Sequence, residues 1–146
     1  MSGTRHFTVD EANRLIPFLR QELLRLKALV RSAQETYREL EVIKAVGADE
    51  SGRLVMLADY KDARRRLRAL GDEAGALVEG IHRRGCELKD VELGLVDFPA
   101  LLDGREVLLC WRMDEDEVRH YHDPAAGYAG RKPLPPAPGS EPSRGG

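Results

Sequence analysis

A heptad repeat of apolar residues covers most of the N-terminal half of the chain and restricts that half to long helices. One series starts at Ile16 and a second at Met56, and both alternate steps of three and four. The members are Ile16, Leu19, Leu23, Leu26, Val30, Ala33, Tyr37 and Leu40, then Met56, Tyr60, Ala63, Leu67, Leu70, Ala74, Leu77 and Ile81. Gly47 and Gly52 lie in the polar segment between the series and predict a turn. The two helices therefore form an antiparallel hairpin over about residues 9–84.

The ends of the predicted helices carry recognisable signals. Thr8 precedes Glu11 by three residues, which is the spacing of a capping box, so the first helix should begin at Val9. Pro17 lies inside the pattern and predicts a bend rather than an end. The second helix is expected to begin at about Arg53 and to end at Gly85.

Two features of the second helix allow more than one interpretation. Its interior contains three glycines, Gly71, Gly75 and Gly80. They indicate either the close approach of another backbone or a weakness tolerated in a helix held by its partner, and we favour the second. The basic run "KDARRRLR" at 61–68 could contact phosphates through Arg64, Arg65, Arg66 and Arg68. A solvated helix flank is the preferred interpretation, so nucleic acid is not expected as a partner.

After Gly85 the period of the pattern changes to two, which is typical of strands. The predicted strands are "CELKD" (86–90), "LGLVDF" (93–98, ended by Pro99), "REVLLCWRM" (105–113) and "EVRHYHD" (117–123). Asp103-Gly104 is a turn signal. The fold class is therefore α+β: a single domain over 1–130 with a helical hairpin, a small antiparallel sheet over about 86–122, and a disordered proline- and glycine-rich tail over 131–146.

Length and composition exclude several classes of protein. The chain has 146 residues, a net charge of −2 and two cysteines, which fits one soluble domain without a disulfide framework. No segment has the pattern of a signal peptide or a membrane span. We therefore expect a cytoplasmic protein with reduced thiols.

The segment "LCWRMDEDEVRHYHDP" (109–124) could hold a metal ion, and the register of its hairpin decides this. With a two-residue turn at Asp114-Glu115, Trp111 would pair with Val118 and Leu109 with His120. The Cys110 thiol would then lie on the face opposite both histidines. With a three-residue loop, Cys110 pairs with His120 and the cysteine shares a face with both histidines. Both registers remain open at this point.

Four residues form the candidate metal site: His120, His122, Asp97 and Cys110. His120 and His122 have the H-x-H spacing of metal ligands, and Asp97 is a carboxylate between two apolar strand residues, where it needs a partner. The ion would be zinc or another divalent transition metal. The alternative interpretation is that no cofactor is bound, and for Asp97 we favour a structural residue that caps the turn before Pro99. Catalytic residues are not identified, because apolar neighbours of Cys110 favour a buried, inert thiol.

Trp111 is the only tryptophan, and it follows Val107 and Leu109 on the most apolar strand face of the chain. We expect its indole to be buried where the sheet meets the helical hairpin. Its N–H group should donate to a carbonyl or carboxylate.

Three segments, "FTVDEANRLIPFL", "LKDVELGLVDFPALLDGREVLLCWR" and "VRHYHDPAAGYAGRKPL", resemble a bacterial family catalogued as domain of unknown function 2203. The resemblance covers roughly residues 5–134. It implies a cytoplasmic bacterial protein with a long helical region followed by a small β region, and it implies no established activity.

Two hypotheses on function follow. The first is a self-associating protein-interaction or scaffold module, because two helices cannot bury all the apolar residues on their flanks; it predicts a homodimer, with a further protein partner possible. The second is a metal-binding protein or metal-dependent enzyme that uses the H-x-H pair. Whether the protein is an enzyme stays open.

Overall fold

The computed structural model describes residues 5–135 as two helices followed by a five-stranded antiparallel sheet, which confirms the α+β class. The elements are α1 (Val9–Val46), α2 (Leu57–Arg83), β1 (Glu87–Asp90), β2 (Leu95–Leu102), β3 (Arg105–Arg112), β4 (His120–His122), a short 3-10 helix (Tyr128–Gly130) and β5 (Lys132–Pro133). The chain divides into two compact units. The helical unit is residues 18–84, and the sheet unit is residues 5–17 with 85–135. A single domain over 1–130 stays a prediction.

The first helix begins where the capping box places its start. The Thr8 amide donates to the Glu11 carboxylate at 2.8 Å, and the Glu11 amide donates to the Thr8 hydroxyl at 3.0 Å. Because the two residues satisfy each other's amides, the helix starts at Val9. Pro17 lies within α1 and does not end it.

The core of the helical unit differs from the predicted heptad pattern at one position. Tyr37 is 56% exposed, while its neighbour Thr36 is only 5% exposed. The Thr36 hydroxyl donates to the carbonyl of Ser32, so the polar group is satisfied inside the helix. The buried stripe then continues to Ile43, which joins a cluster with Leu40 and Ala63; Met56, Tyr60 and Leu67 pack against it.

The second helix begins at Leu57, four residues later than predicted. The Asp49 carboxylate accepts hydrogen bonds from the amides of Ser51 and Arg53, and this turn keeps the segment after Gly47 out of the helix. Within the described residues, an added Cβ at Gly71, Gly75 or Gly80 would meet nothing within 4 Å. No backbone within the described residues therefore approaches these glycines closely.

The sheet has the strand order β1-β2-β3-β4-β5. The Asp103-Gly104 turn between β2 and β3 is confirmed, with φ of 52° and 76° at its two residues. Pro99 was expected to end the second strand, but β2 continues to Leu102. The Pro99 carbonyl accepts from the Phe7 amide at 2.7 Å, so this residue turns its backbone groups away from β3, where the missing N–H costs no ladder bond.

One face of the sheet forms the core of this unit. Val96, Phe98, Val107, Leu109 and Trp111 are each at most 2% exposed, and the Phe7 ring packs edge-on against Phe98 with centroids 5.3 Å apart. The Trp111 indole N–H donates to the Glu115 carbonyl at 2.9 Å. The predicted burial and hydrogen bond of Trp111 are thus confirmed, while its position at the junction with the hairpin stays a prediction.

The described chain continues past residue 130, where the sequence predicted a disordered tail to begin. Arg131 forms an ion pair with Glu115, Lys132–Pro133 form β5, and the Leu134 amide donates to the Arg119 carbonyl. The ordered structure therefore includes residues 131–135, because polar partners and a strand edge hold them. The rest of the predicted tail, 136–146, lies outside the described residues. Neither helix of the described chain is long and apolar enough to span a bilayer.

Candidate metal centre

The hairpin of β3 and β4 adopts the register that brings the candidate ligands to one face. Cys110 pairs with His120 and Leu108 with His122. The register derived from a two-residue turn, with Leu109 opposite His120, is therefore wrong by one residue. The Arg112 carbonyl accepts from the Glu115 amide at 2.8 Å, and the loop that follows is longer than a two-residue turn.

Asp97 completes this row from the neighbouring strand. It is the β2 partner of Cys110, so Asp97, Cys110 and His120 are consecutive across three strands and point to the same side. His122 is two residues from His120 and shares that side. Ligand atoms of Asp97, Cys110 and His122 all lie within 4.8 Å of one another. The three residues are 3%, 1% and 2% exposed.

The buried partner that Asp97 needs is His122. Nε2 of His122 lies 3.0 Å from Oδ2 of Asp97, and Nδ1 lies 2.8 Å from the Asp123 carbonyl oxygen. Because a carbonyl only accepts, Nδ1 carries a hydrogen. A second hydrogen must then lie between Nε2 and the carboxylate. The pair is therefore neutral overall, with the shared proton on either residue.

Cys110 is the β3 partner of Asp97, and its sulfur lies within 4.8 Å of the ligand atoms of both Asp97 and His122. Burial, reinforced by the charge of Asp97, raises the pKa of the thiol to about 12. Burial also raises the pKa of Asp97, although His122 opposes this effect. In a nucleophilic cysteine site a histidine contacts the thiol and lowers its pKa. Here burial and the Asp97 carboxylate raise the pKa of the thiol instead, which does not fit an activated nucleophile.

His120 is near this cluster but is not part of it. Its Nδ1 faces Glu115 at 3.6 Å and is buried without a hydrogen-bond partner. Glu115 also accepts from the Arg112 amide at 2.7 Å and from Arg131 at 2.9 Å. Arg131 in turn donates to the Cys110 carbonyl at 3.1 Å, so this polar group is adjacent to the candidate ligands.

All three cluster residues are among the four predicted ligands, and His120 is the predicted ligand outside the cluster, but the sequence did not reveal the polar groups around them. Glu115 was assigned only to a turn and Arg131 to a disordered tail. The Asp123 carbonyl, which fixes the orientation of the His122 ring, has no side-chain signature. Glu115, Asp123 and Arg131 are separated in sequence, and their spacing matches no motif that would have revealed the network.

The donor set fits a soft or borderline divalent ion. Thiolate sulfur, imidazole nitrogen and carboxylate oxygen are all zinc ligands, and magnesium or calcium would require oxygen donors throughout. The carbonyl that holds Nδ1 of His122 is the kind of outer contact that directs Nε2 toward a metal. The cluster offers three candidate protein ligands. His120, which is opposite Cys110 on the same face, is a candidate for the fourth.

Fold and cluster together define a small α+β protein with a buried Asp-Cys-His group in its sheet. The chain belongs to the family described as "Uncharacterized conserved protein (DUF2203)", whose model matches residues 5–134. Asp97, Cys110 and His122 all lie in segments on which the resemblance to this family rests. No curated protein and no solved structure matches the chain.

Proposed function

We propose that this protein binds one divalent transition-metal ion, zinc by its donor set, through Asp97, Cys110 and His122, in the cytoplasm of a bacterial cell. The observation that carries the proposal is the convergence of three different ligand types within 4.8 Å at a buried position. An oriented His122 ring supports it, because the Asp123 carbonyl fixes which nitrogen is presented to the cluster.

His120 supplies the fourth ligand in this proposal. It is the β4 partner of Cys110 on the ligand face, and its Nδ1, which is 3.6 Å from the Glu115 carboxylate, is buried without a hydrogen-bond partner. A set of four protein ligands is typical of structural zinc sites, whereas catalytic sites leave one position for water. We therefore propose a structural or storage role for the ion and not catalysis.

Elemental analysis of untagged protein tests the proposal. We expect close to one equivalent of zinc per chain, and in the stripped protein we expect stoichiometric uptake on zinc addition with a rise in melting temperature. Cys110→Ser and His122→Gln should each abolish uptake. His120→Gln should weaken zinc binding, by about 10- to 100-fold or more if His120 is a ligand.

Cys86→Ser is the matched control, because Cys86 is also a buried free cysteine but is not in the cluster. This variant should retain full zinc binding. Zinc below about a tenth of an equivalent, without uptake on addition, would show that the cluster is a metal-free hydrogen-bond network.

Self-association is a second proposed function, favoured by an exposed apolar group at the closed end of the helical hairpin. Val42, Val46 and Val55 are 64%, 51% and 59% exposed. The Val55 amide donates to the Gly47 carbonyl, so it lies next to the end of α1. A second copy of the chain would cover these valines.

Light scattering coupled to gel filtration tests this second proposal. We expect a dimer at micromolar concentration that becomes a monomer in Val46→Glu. Leu93→Glu places the same charge at an exposed apolar residue of the sheet unit and should leave the dimer intact. A wild-type monomer at every concentration would contradict self-association.

A further inference from the structure

The structure separates the cations of the 61–68 segment into two groups. Arg66 is ion-paired with Glu39 at 2.9 Å and with Asp62 at 3.0 Å, and Arg65 is paired with Asp62 at 3.2 Å. Lys61, Arg64 and Arg68 have no carboxylate within salt-bridge distance among residues 5–135. The sequence run alone did not distinguish the two groups.

The three unpaired cations share one face of α2. Lys61, Arg64 and Arg68 follow the spacing i, i+3 and i+7, so they form a row, and all three are exposed. Arg66 lies outside this row and pairs with Glu39 and Asp62. Asp72, one turn beyond Arg68, limits the row at its far end. The result is a short positive strip within a helical surface of mixed charge.

A concave surface with an aromatic side chain accompanies this strip. Two adjoining grooves, with volumes of about 460 and 310 Å³, are both lined by Tyr60, Arg64 and Arg68. Lys44 of α1 contributes to the first groove and Lys61 to the second. The Arg64 guanidinium lies over the Tyr60 ring at 5.8 Å. We call this surface the Tyr60 groove.

We propose that the Tyr60 groove binds single-stranded nucleic acid, with Lys61, Arg64 and Arg68 on successive phosphates and Tyr60 as the platform for a base. A positive groove that contains an aromatic side chain is the arrangement by which proteins bind single strands without sequence readout. Arginine forks suit phosphate oxygens, and the lack of carboxylate partners leaves their donors available. The net charge of −2 means that binding depends on this local strip and not on the field of the whole molecule.

Fluorescence anisotropy with a labelled oligouridylate about a dozen nucleotides long tests the proposal, since this length is more than enough to supply three successive phosphates and lies within the usual site sizes of single-strand-binding proteins. Affinity should fall by about tenfold or more between about 50 and 200 mM salt, as expected for three phosphate contacts on a single strand. Lys61→Gln/Arg64→Gln/Arg68→Gln should weaken binding by at least about tenfold and remove most of the salt dependence. Tyr60→Leu should weaken binding with the salt dependence retained.

Arg25→Gln/Arg66→Gln/Arg83→Gln is the matched control, because it removes three ion-paired cations of the same unit with the same change in charge. It should change affinity by less than about twofold. Equal losses in the two triple variants would overturn the proposal, since only net charge would then matter. Absence of oligouridylate binding at low salt would also overturn it.

Two further probes distinguish other sources of phosphate. Uridine monophosphate that displaces the oligonucleotide at equal phosphate concentration would assign the groove to a free nucleotide and overturn the single-strand proposal. Vesicles containing phosphatidylserine that bind the wild type but not the Lys61/Arg64/Arg68 variant, with no oligonucleotide binding, would assign it to a membrane surface. Failure of this proposal would leave the metal proposal untouched, because the two proposals rest on different residues and different ligands.

Discussion

The ion pairs of the helical unit lie at the surface, whereas the sheet unit also has a pair of ionisable groups in its interior. The Arg66–Glu39 and Arg83–Glu79 pairs involve side chains that are at least 44% exposed. In the His122–Asp97 pair of the sheet unit the side chains are 3% and 4% exposed. Exposed pairs contribute little to stability, but a buried polar group without its partner is costly.

This contrast places different chemistry in the two units. Water solvates the charges of the helical unit, so the cations without a carboxylate partner remain available to a charged ligand. The sheet unit isolates Asp97, Cys110 and His122 from water, and only a proton or a metal ion can satisfy their buried lone pairs. The proposed binding surface and the proposed metal centre therefore belong to different units of one small chain.

The largest effect is expected for Trp111→Ala in the sheet unit. Trp111 is fully buried and its N–H is bonded, so removing the indole should cost about 3–5 kcal/mol of unfolding free energy. Chemical denaturation followed by circular dichroism measures this loss. Tyr37→Ala is the comparison in the helical unit, where the ring is 56% exposed and the cost should stay within about 0.5 kcal/mol. A Trp111→Ala protein that melts within a degree or two of the parent would contradict the assignment.

The fold was predictable to the extent that its signals are local. The capping box at Thr8 and the Asp103-Gly104 turn each involve a few neighbouring residues, and both are confirmed. Hydrophobicity did not predict that Thr36 is buried in place of Tyr37. A threonine is buried at low cost when a carbonyl such as that of Ser32 accepts its hydroxyl hydrogen. The continuation of β2 through Pro99 depends on Phe7, far away in sequence.

The second effect concerns the buried pair. In metal-free protein, Asp97→Leu leaves Nε2 of His122 without its partner and should cost about 2–3 kcal/mol. The double variant Asp97→Leu/His122→Leu should recover part of this loss, because no polar atom is then left unsatisfied. Glu39→Leu removes the exposed partner of Arg66 in the helical unit and should cost less than about 1 kcal/mol. Equal costs for the two single variants would remove the contrast between the units.

The candidate site was predictable in its residue types but not in its geometry. The residues Asp97, Cys110 and His122 were all candidates, and one residue of register decided whether Cys110 faces the histidines. The loop around Glu115 accompanies that register: the Glu115 amide donates to the Arg112 carbonyl, and the Trp111 indole N–H donates to the Glu115 carbonyl. Such bonds have no counterpart in a hydrophobic pattern, so the sequence left both registers open.

The third effect is a dependence on pH carried by Glu115. Partial burial alone would raise the pKa of Glu115, but hydrogen bonds from Arg131 and the Arg112 amide lower it below the ordinary value of 4.5. The folded state therefore binds this proton less tightly than the unfolded state, so the stabilisation is present above 4.5 and is lost as pH falls through the lowered pKa. Glu115→Gln should cost about 1–2 kcal/mol at neutral pH and less in acid. Denaturation curves of the wild type and the variant, recorded at neutral pH and in acid, test this prediction. An equal loss of unfolding free energy at both pH values would refute it.

The smallest effect is that of a glycine-to-alanine substitution on stability, which should have opposite signs in the two units. Gly75 lies in α2, and a Cβ added there would meet no atom within 4 Å, so Gly75→Ala should stabilise the helical unit by about 0.5–1 kcal/mol, because alanine favours the helix. Gly94 in the sheet unit has a φ of +67°, and a Cβ there would lie 2.5 Å from that of Met113. Gly94→Ala should therefore destabilise the protein although it adds the same methyl group. Thermal melts of both variants measure the two signs. Destabilisation by Gly75→Ala would mean that another backbone packs against α2 in solution, and the contrast between an open helical surface and a closed sheet unit would then fail at that position.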